Sequence, residues 1–282
     1  MGKRFNAFIL AAFFSGLAPC AYGRLLVFGP EFFFSEAGKS QRVSRDFRVH
    51  DTDHKFILSI QSGNNGGKGV KATITLNGAR VALPDEFSER LMIAEPVNLQ
   101  NKNEIAVETA GEADASLLVT IMNMEEHTAT AEIPLLGEAV EFEEGYARVI
   151  FPSVSFGAAQ SVTITTTASP STQHLFEANA TGPRLPYEIR INTGDQPPAK
   201  DVELSVLVPD SFIASDYAIH IFAQMHDNPE APDQHDRFFV ISSGLDDIVK
   251  MIKATLPREA FSNLYGKNGT YEAIITVGLI HY

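Results

Sequence analysis

With 282 residues, 44% of them hydrophobic, the chain is long enough for one large core or two ordinary ones, and two are the expectation. Its 35 acidic residues against 22 basic ones give a formal net charge of −13, which argues against a nucleic-acid partner held through phosphate contacts and leaves solubility or divalent-cation binding as what an acidic surface serves. Twenty Phe and no Trp weigh against a glycan face built on stacked indoles, and one Cys leaves no internal disulfide.

Residues 1–23 read as a cleaved signal peptide: Lys3-Arg4, an apolar run from Phe5 to Leu17, then small residues. The run is too short to span a bilayer comfortably, and no transmembrane segment is expected in the mature chain. Leu17-Ala18-Pro19-Cys20 resembles the bacterial lipoprotein box, in which the cysteine becomes the lipidated N-terminus. Pro19 stands where that motif wants a small residue, so Cys20 is expected to leave with the signal and not to carry a lipid anchor. An exported, disulfide-free chain of β pattern reads as a bacterial protein that is secreted, periplasmic or at the cell surface. By that reading Asn179-Ala-Thr181 and Asn268-Gly-Thr270 match the glycosylation pattern by coincidence, in turns.

Residues 24–125 form the first expected β-sandwich. Leu25-Leu-Val-Phe28 and Glu31-Phe-Phe-Phe34 flank Gly29-Pro30 as two brief strands or a strand and a bend, and Arg42 to Val49 alternates as a strand. Asp51-Thr-Asp53-His54 is a polar turn whose two carboxylates are too few for a calcium site. Phe56 to Gln61 and Val70 to Leu76, joined by the glycine-rich 63–69, read as a hairpin. Asn77-Gly78 is a tight turn into Arg80-Val81-Ala82, followed by runs at Val97-Asn-Leu99, Glu104 to Thr109 and Ser116 to Met122.

Several of these residues carry a resemblance. Phe28-Gly29-Pro30, Ile74-Thr-Leu-Asn-Gly78, Pro84-Asp-Glu-Phe87, Val97-Asn-Leu99, Asn103-Glu-Ile-Ala-Val-Glu108 and Ser116-Leu-Leu-Val-Thr-Ile121 resemble a β-sandwich module of secreted bacterial surface proteins. There it often precedes immunoglobulin-like, repeat or peptidase domains. The resemblance covers roughly the first half of the mature chain, implies a fold and an extracellular setting, and supplies no catalytic residues. The sequence departs from it at Gly111-Glu-Ala-Asp114, where the module has a glycine-lysine-proline-glycine turn.

Residues 126–282 form the second expected sandwich, beyond a polar boundary at Glu125 to Thr130 and an acidic patch from Glu138 to Glu144. Strands are expected at Tyr146–Phe151, Gln160–Thr167, Tyr187–Ile191 and Asp201–Val208, at Asp216–Gln224 and Asp236–Ile241 as a hairpin with a long loop, and at Thr270–Gly278. Their order resembles the immunoglobulin-like domains that follow the first module in the same surface proteins. Leu245 to Leu256 fits two assignments. Leu245, Ile248, Val249 and Ile252 lie at helical spacing, whereas a strand over Met251 to Leu256, stopped by Pro257, agrees better with its neighbours.

The fold class expected is therefore all-β: two β-sandwich domains, immunoglobulin-like or jelly-roll-like, after a signal peptide. Gly-x-Ser-x-Gly, His-Glu-x-x-His and nucleotide-binding glycine motifs are absent, and the glycine run 63–69 reads as a hairpin tip. His226, Asp227, Asp233 and His235, in one loop with two prolines, are the metal-ligand candidates, and a solvated loop is preferred over a site there. Calcium is the cofactor the acidic balance would admit, without a calcium loop to hold it. These observations point to a non-enzymatic binding or spacer module for a cell-surface glycan or protein, with the accessory front end of a secreted hydrolase or peptidase as the alternative.

Overall fold

Alternation of apolar and polar residues decides which side chains share a face of a strand, and strand pairing decides which strands share a core. A computed structural model describes residues 25–35, 39–62, 70–82, 92–111, 116–142, 146–168, 185, 187–209, 213, 217–225, 237–241, 243–246, 248–261 and 270–281. The segment read as a signal with Cys20, residues 63–69, the Pro84–Phe87 motif, Asn179, Asn268 and the loop holding His226, Asp227, Asp233 and His235 lie outside these residues.

The described residues are almost entirely strand, and every pairing is antiparallel. The first eight strands are β1 (Leu26–Phe34), β2 (Gln41–Arg48), β3 (Phe56–Ser62), β4 (Val70–Leu76), β5 (Ala79–Ala82), β6 (Met92–Val97), β7 (Lys102–Gly111) and β8 (Ser116–Asn123). They form two sheets of order β1-β8-β3-β6 and β2-β7-β4-β5. The pairs β1/β8, β2/β7, β3/β6 and β4/β5 are those of a long hairpin rolled onto itself, which is the jelly roll. This corrects the hairpin expected between Phe56–Gln61 and Val70–Leu76: β3 and β4 lie in opposite sheets, and successive strands cross between layers until the Asn77-Gly78 turn closes β4 on β5. Asn77 and Gly78 both have positive φ, 51° and 78°, the hand that suits a two-residue hairpin.

The core between the two sheets takes Phe56, Leu58, Ile60, Leu117, Val119 and Ile121 from one layer and Ile74, Leu76, Ile105 and Val107 from the other. In β1 the register shifts on either side of Phe28, and the side-chain faces shift with it: Phe28 and Phe33, an odd number of residues apart, share this core. The two halves expected of that segment are thus one bulged strand. β6 escaped the sequence reading because Pro96 interrupts its run, and proline is tolerated there because β6 is an edge strand.

Two motif fragments 26 residues apart meet in this sandwich. Asn103, buried, accepts through Oδ1 from the Gln100 amide (2.8 Å) and from Asn77 Nδ2 (2.9 Å), while Asn77 Oδ1 accepts from the Glu104 amide (2.9 Å). The Asn-Gly turn and the start of β7 are thereby locked together.

The remaining strands are β9 (His127–Ile133), β10 (Glu138–Phe142), β11 (Ala147–Phe151), β12 (Gln160–Ala168), β13 (Tyr187–Asn192), β14 (Val202–Leu207), β15 (Tyr217–Met225), β16 (Arg237–Ile241), β17 (Ser243–Asp246), β18 (Met251–Leu256) and β19 (Glu272–His281). They build a five-stranded sheet, β10-β11-β14-β18-β17, and a six-stranded one, β16-β15-β19-β13-β12-β9, with one core between them. The segment read as polar boundary is already strand from His127, the acidic patch is largely β10, and Met251–Leu256 is the strand and not part of a helix. The expected β15/β16 hairpin is present.

The outer face of the β1-β8-β3-β6 sheet does not face water. Leu26, Ile57, Leu118 and Met122 are buried on it and belong to the same apolar cluster as Tyr146, Tyr187 and Ile133 of the second sandwich. Hence β8 is buried at all eight positions, with Leu117, Val119 and Ile121 in one core and Leu118 and Met122 in the other. No helix among the described residues is long and apolar enough to cross a membrane.

Candidate functional site

The outer face of the six-stranded sheet differs in chemistry. In β12 the residues Val162 and Ile164 point into the core, so Thr163, Thr165 and Thr167 stand on the opposite face. Pairing sets Thr163 beside Asn192 and Thr165 beside Arg190 on β13, and Asn192 beside Glu272 on β19. On the other flank β9 presents Thr130 and Thr128, whose hydroxyls lie 3.1 and 3.3 Å from those of Thr163 and Thr165. Thr163, Thr165, Thr167, Arg190, Asn192 and Glu272, with Glu126 at the rim, line a groove of about 590 Å³ in which every described lining residue is polar.

Arg190 is the centre of its electrostatics. One guanidinium nitrogen donates to Glu188 Oε2 at 3.1 Å, and another lies 3.8 Å from Glu272 Oε2. Glu188 is 3% exposed, so the guanidinium shields a carboxylate that would otherwise be buried without compensation. Arg190 Nε is buried and has no acceptor among the described residues. Burial pushes the Glu272 carboxyl above the ordinary glutamate range; the Arg190 charge opposes this, and the charges of Glu188 and Glu126 add to it. The groove therefore offers hydroxyls, an amide, one engaged cation and a surplus of carboxylate, a set suited to exchanging hydrogen bonds with a polar ligand.

The sequence-predicted metal candidates His226, Asp227, Asp233 and His235 fall outside the described residues. Among the described residues no group of three or more His, Cys, Asp or Glu is placed to hold a metal ion. The Asp51–His54 segment is a turn, as expected: Asp51 Oδ1 accepts from the Asp53 amide at 3.0 Å. His54 there bridges Asp51 Oδ2 (3.2 Å) and Glu125 Oε1 (2.7 Å), clasping the chain just before β9. The bond to Glu125 raises its imidazole above the ordinary 6.5, burial opposes this, and the charges of Asp51, Glu125 and Asp53 add to the rise. Sequence reasoning did not find Arg190, Asn192, Glu272 or Glu126. The polar alternation of each strand was visible, but which strands lie side by side was not.

No protein-family model matches the chain, and no curated protein sequence does. Among solved structures it is similar to a cycloisomaltooligosaccharide glucanotransferase of Paenibacillus sp. complexed with cycloisomaltoheptaose, at 9% identity over 86% of this chain and 41% of that one, TM-score 0.22. It is also similar to dimeric latent PorU of Porphyromonas gingivalis, at 10% identity over 89% of this chain and 20% of that one, TM-score 0.18. The chain thus spans less than half the length of either, and likenesses of this size carry no argument about activity.

Proposed function

We propose that the protein is an exported bacterial β-sandwich module that binds a cell-surface ligand, a glycan or a protein, without catalysing a reaction. The observation that carries this reading is the polar groove lined from β12, β13 and β19 with Glu126 at its rim, on the face of the six-stranded sheet turned away from its core. The described lining residues offer hydroxyls, an amide and carboxylates, a set that supports recognition through hydrogen bonds. The jelly roll packs against the groove-bearing sandwich through its apolar outer face.

The test is a pull-down of the purified protein against cell-wall polysaccharide, surface-protein extract and a glycan panel, with hydrolysis of peptide, ester and glycan substrates assayed in parallel. Saturable binding that Arg190→Gln weakens, without turnover, is the expected result. Turnover of any of these substrates would sink the non-enzymatic reading.

A further inference from the structure

The ligand class follows from the charge and hydrogen-bond complement of the groove, and rests on the binding-module reading above. We infer that the groove takes a neutral or amine-bearing glycan and rejects acidic ones. The single guanidinium among the described lining residues, Arg190, is already held by Glu188 at 3.1 Å and flanked by Glu272, with Glu126 at the rim. A uronate, sulfate or phosphate would have to approach these carboxylates in a partly desolvated site, with no free cation among the described lining residues to receive it. An apolar ligand would strand the groove's polar groups.

A sugar ring meets both requirements. Its hydroxyls donate to carboxylates and accept from hydroxyls and amides, and the groove supplies both kinds of partner in rows. Thr163, Thr165 and Thr167 are spaced two residues apart along one strand, about 7 Å per step, and β12, β13 and β19 set polar groups about 5 Å apart across it. Asn192 Oδ1 takes the Gly194 amide at 2.8 Å, which fixes the side chain and leaves its amide group to donate. A protonated amine on the sugar would be drawn to Glu272 and Glu126. Affinity would come from hydrogen bonds and not from aromatic stacking, in keeping with the lack of Trp in the chain and of any aromatic residue among the described groove residues.

The experiment measures binding of the purified protein to three sets of oligosaccharides of matched length: neutral glucans and mannans, glucosamine oligomers, and oligogalacturonate. Neutral or glucosamine oligomers should bind at least tenfold more tightly than the uronates. Thr165→Val and Glu272→Gln should each weaken that binding at least fivefold, and Glu272→Gln should also narrow the margin against uronates. Unchanged melting temperatures would certify the variants, with Thr163→Val, at another lining threonine, as the substitute should Thr165→Val fail to fold. Preference for uronates, or neutral-glycan binding that these substitutions leave unmoved, overturns the assignment while leaving a binding module. A protein ligand bound through the groove, with no glycan bound, overturns the ligand class alone. Absence of saturable binding to any class overturns the function proposed above as well.

Discussion

On the outer face of the β1-β8-β3-β6 sheet the alternate positions hold Leu26, Ile57, Leu118 and Met122; on the outer face of the six-stranded sheet they hold Thr163, Thr165, Arg190, Asn192 and Glu272. Both sheets spend their inner face on a sandwich core, so each has one face left over. The first is apolar and closes against its neighbour; the second is buried where it carries Phe222 and Ile274, and is polar at its β12-β13 end, where the groove lies. The period-two rule tells which residues share a face, but the chemistry of the second face decides whether a sheet becomes a joint or a binding surface.

The strongest way to break this contrast is to exchange the chemistry of the joint. Leu118 is fully buried, so Leu118→Asp would place an unpaired charge there and cost more than about 4 kcal/mol, read as loss of the cooperative urea transition. Leu118→Ala keeps the face apolar and is expected to cost about 3 kcal/mol in the same measurement. Gly29→Ala acts on β1 at the edge of the joint. Its φ of +74° alone costs a non-glycine residue about 1–2 kcal/mol, and its Cβ would run into the Val119 carbonyl oxygen, so a loss of at least that size is expected by thermal melting.

The open face should behave oppositely. Thr165→Val, at a half-buried position whose neighbours are hydroxyls, is expected to shift stability by no more than about 0.5 kcal/mol in either direction while lowering ligand affinity. A loss as large as that of Leu118→Ala would mean the groove is a structural seam. The smallest effect belongs to His54. Its folded-state pKa lies above the unfolded value of 6.5, so its contribution is fully present below about pH 6.5 and lost as pH rises through the folded-state pKa. His54→Gln should therefore flatten the melting-temperature profile between pH 5.5 and 8.5, slightly, because the pair with Glu125 is solvent-exposed.

Individual strands were legible in the sequence wherever β-branched or apolar residues alternate without interruption, as in Gln160–Thr167 and Tyr187–Ile191. Partners were not. β3 and β4 are separated by a glycine-rich run that mimics a hairpin tip, and nothing local in either distinguishes a turn within a sheet from a crossing between sheets. Pro96 hid an edge strand for a similar reason, since the tolerance for proline depends on where the strand lies. The groove was illegible because it is made of residues far apart in the chain: Thr163 and Glu272 read singly as the solvent side of two strands, and become one surface only when β13 lies between them. The polar loop from His226 to Asp236 drew notice because its histidines and carboxylates are adjacent in sequence, the one kind of clustering a sequence displays directly.

The place of β19 has a consequence in time. It lies between β15 and β13, yet it follows every other strand of its sheet in the chain. Until it arrives, β16-β15 and β13-β12-β9 are separate fragments, each with an unpaired edge and an uncovered apolar face. In a chain that emerges N-terminus first, β9 is available well before β19. During that interval the jelly roll, whose strands are complete by Asn123, can close without them. The groove would then be the last part of the molecule to exist, and a chain cut after Thr270 would keep the first sandwich while losing the strand that joins the second.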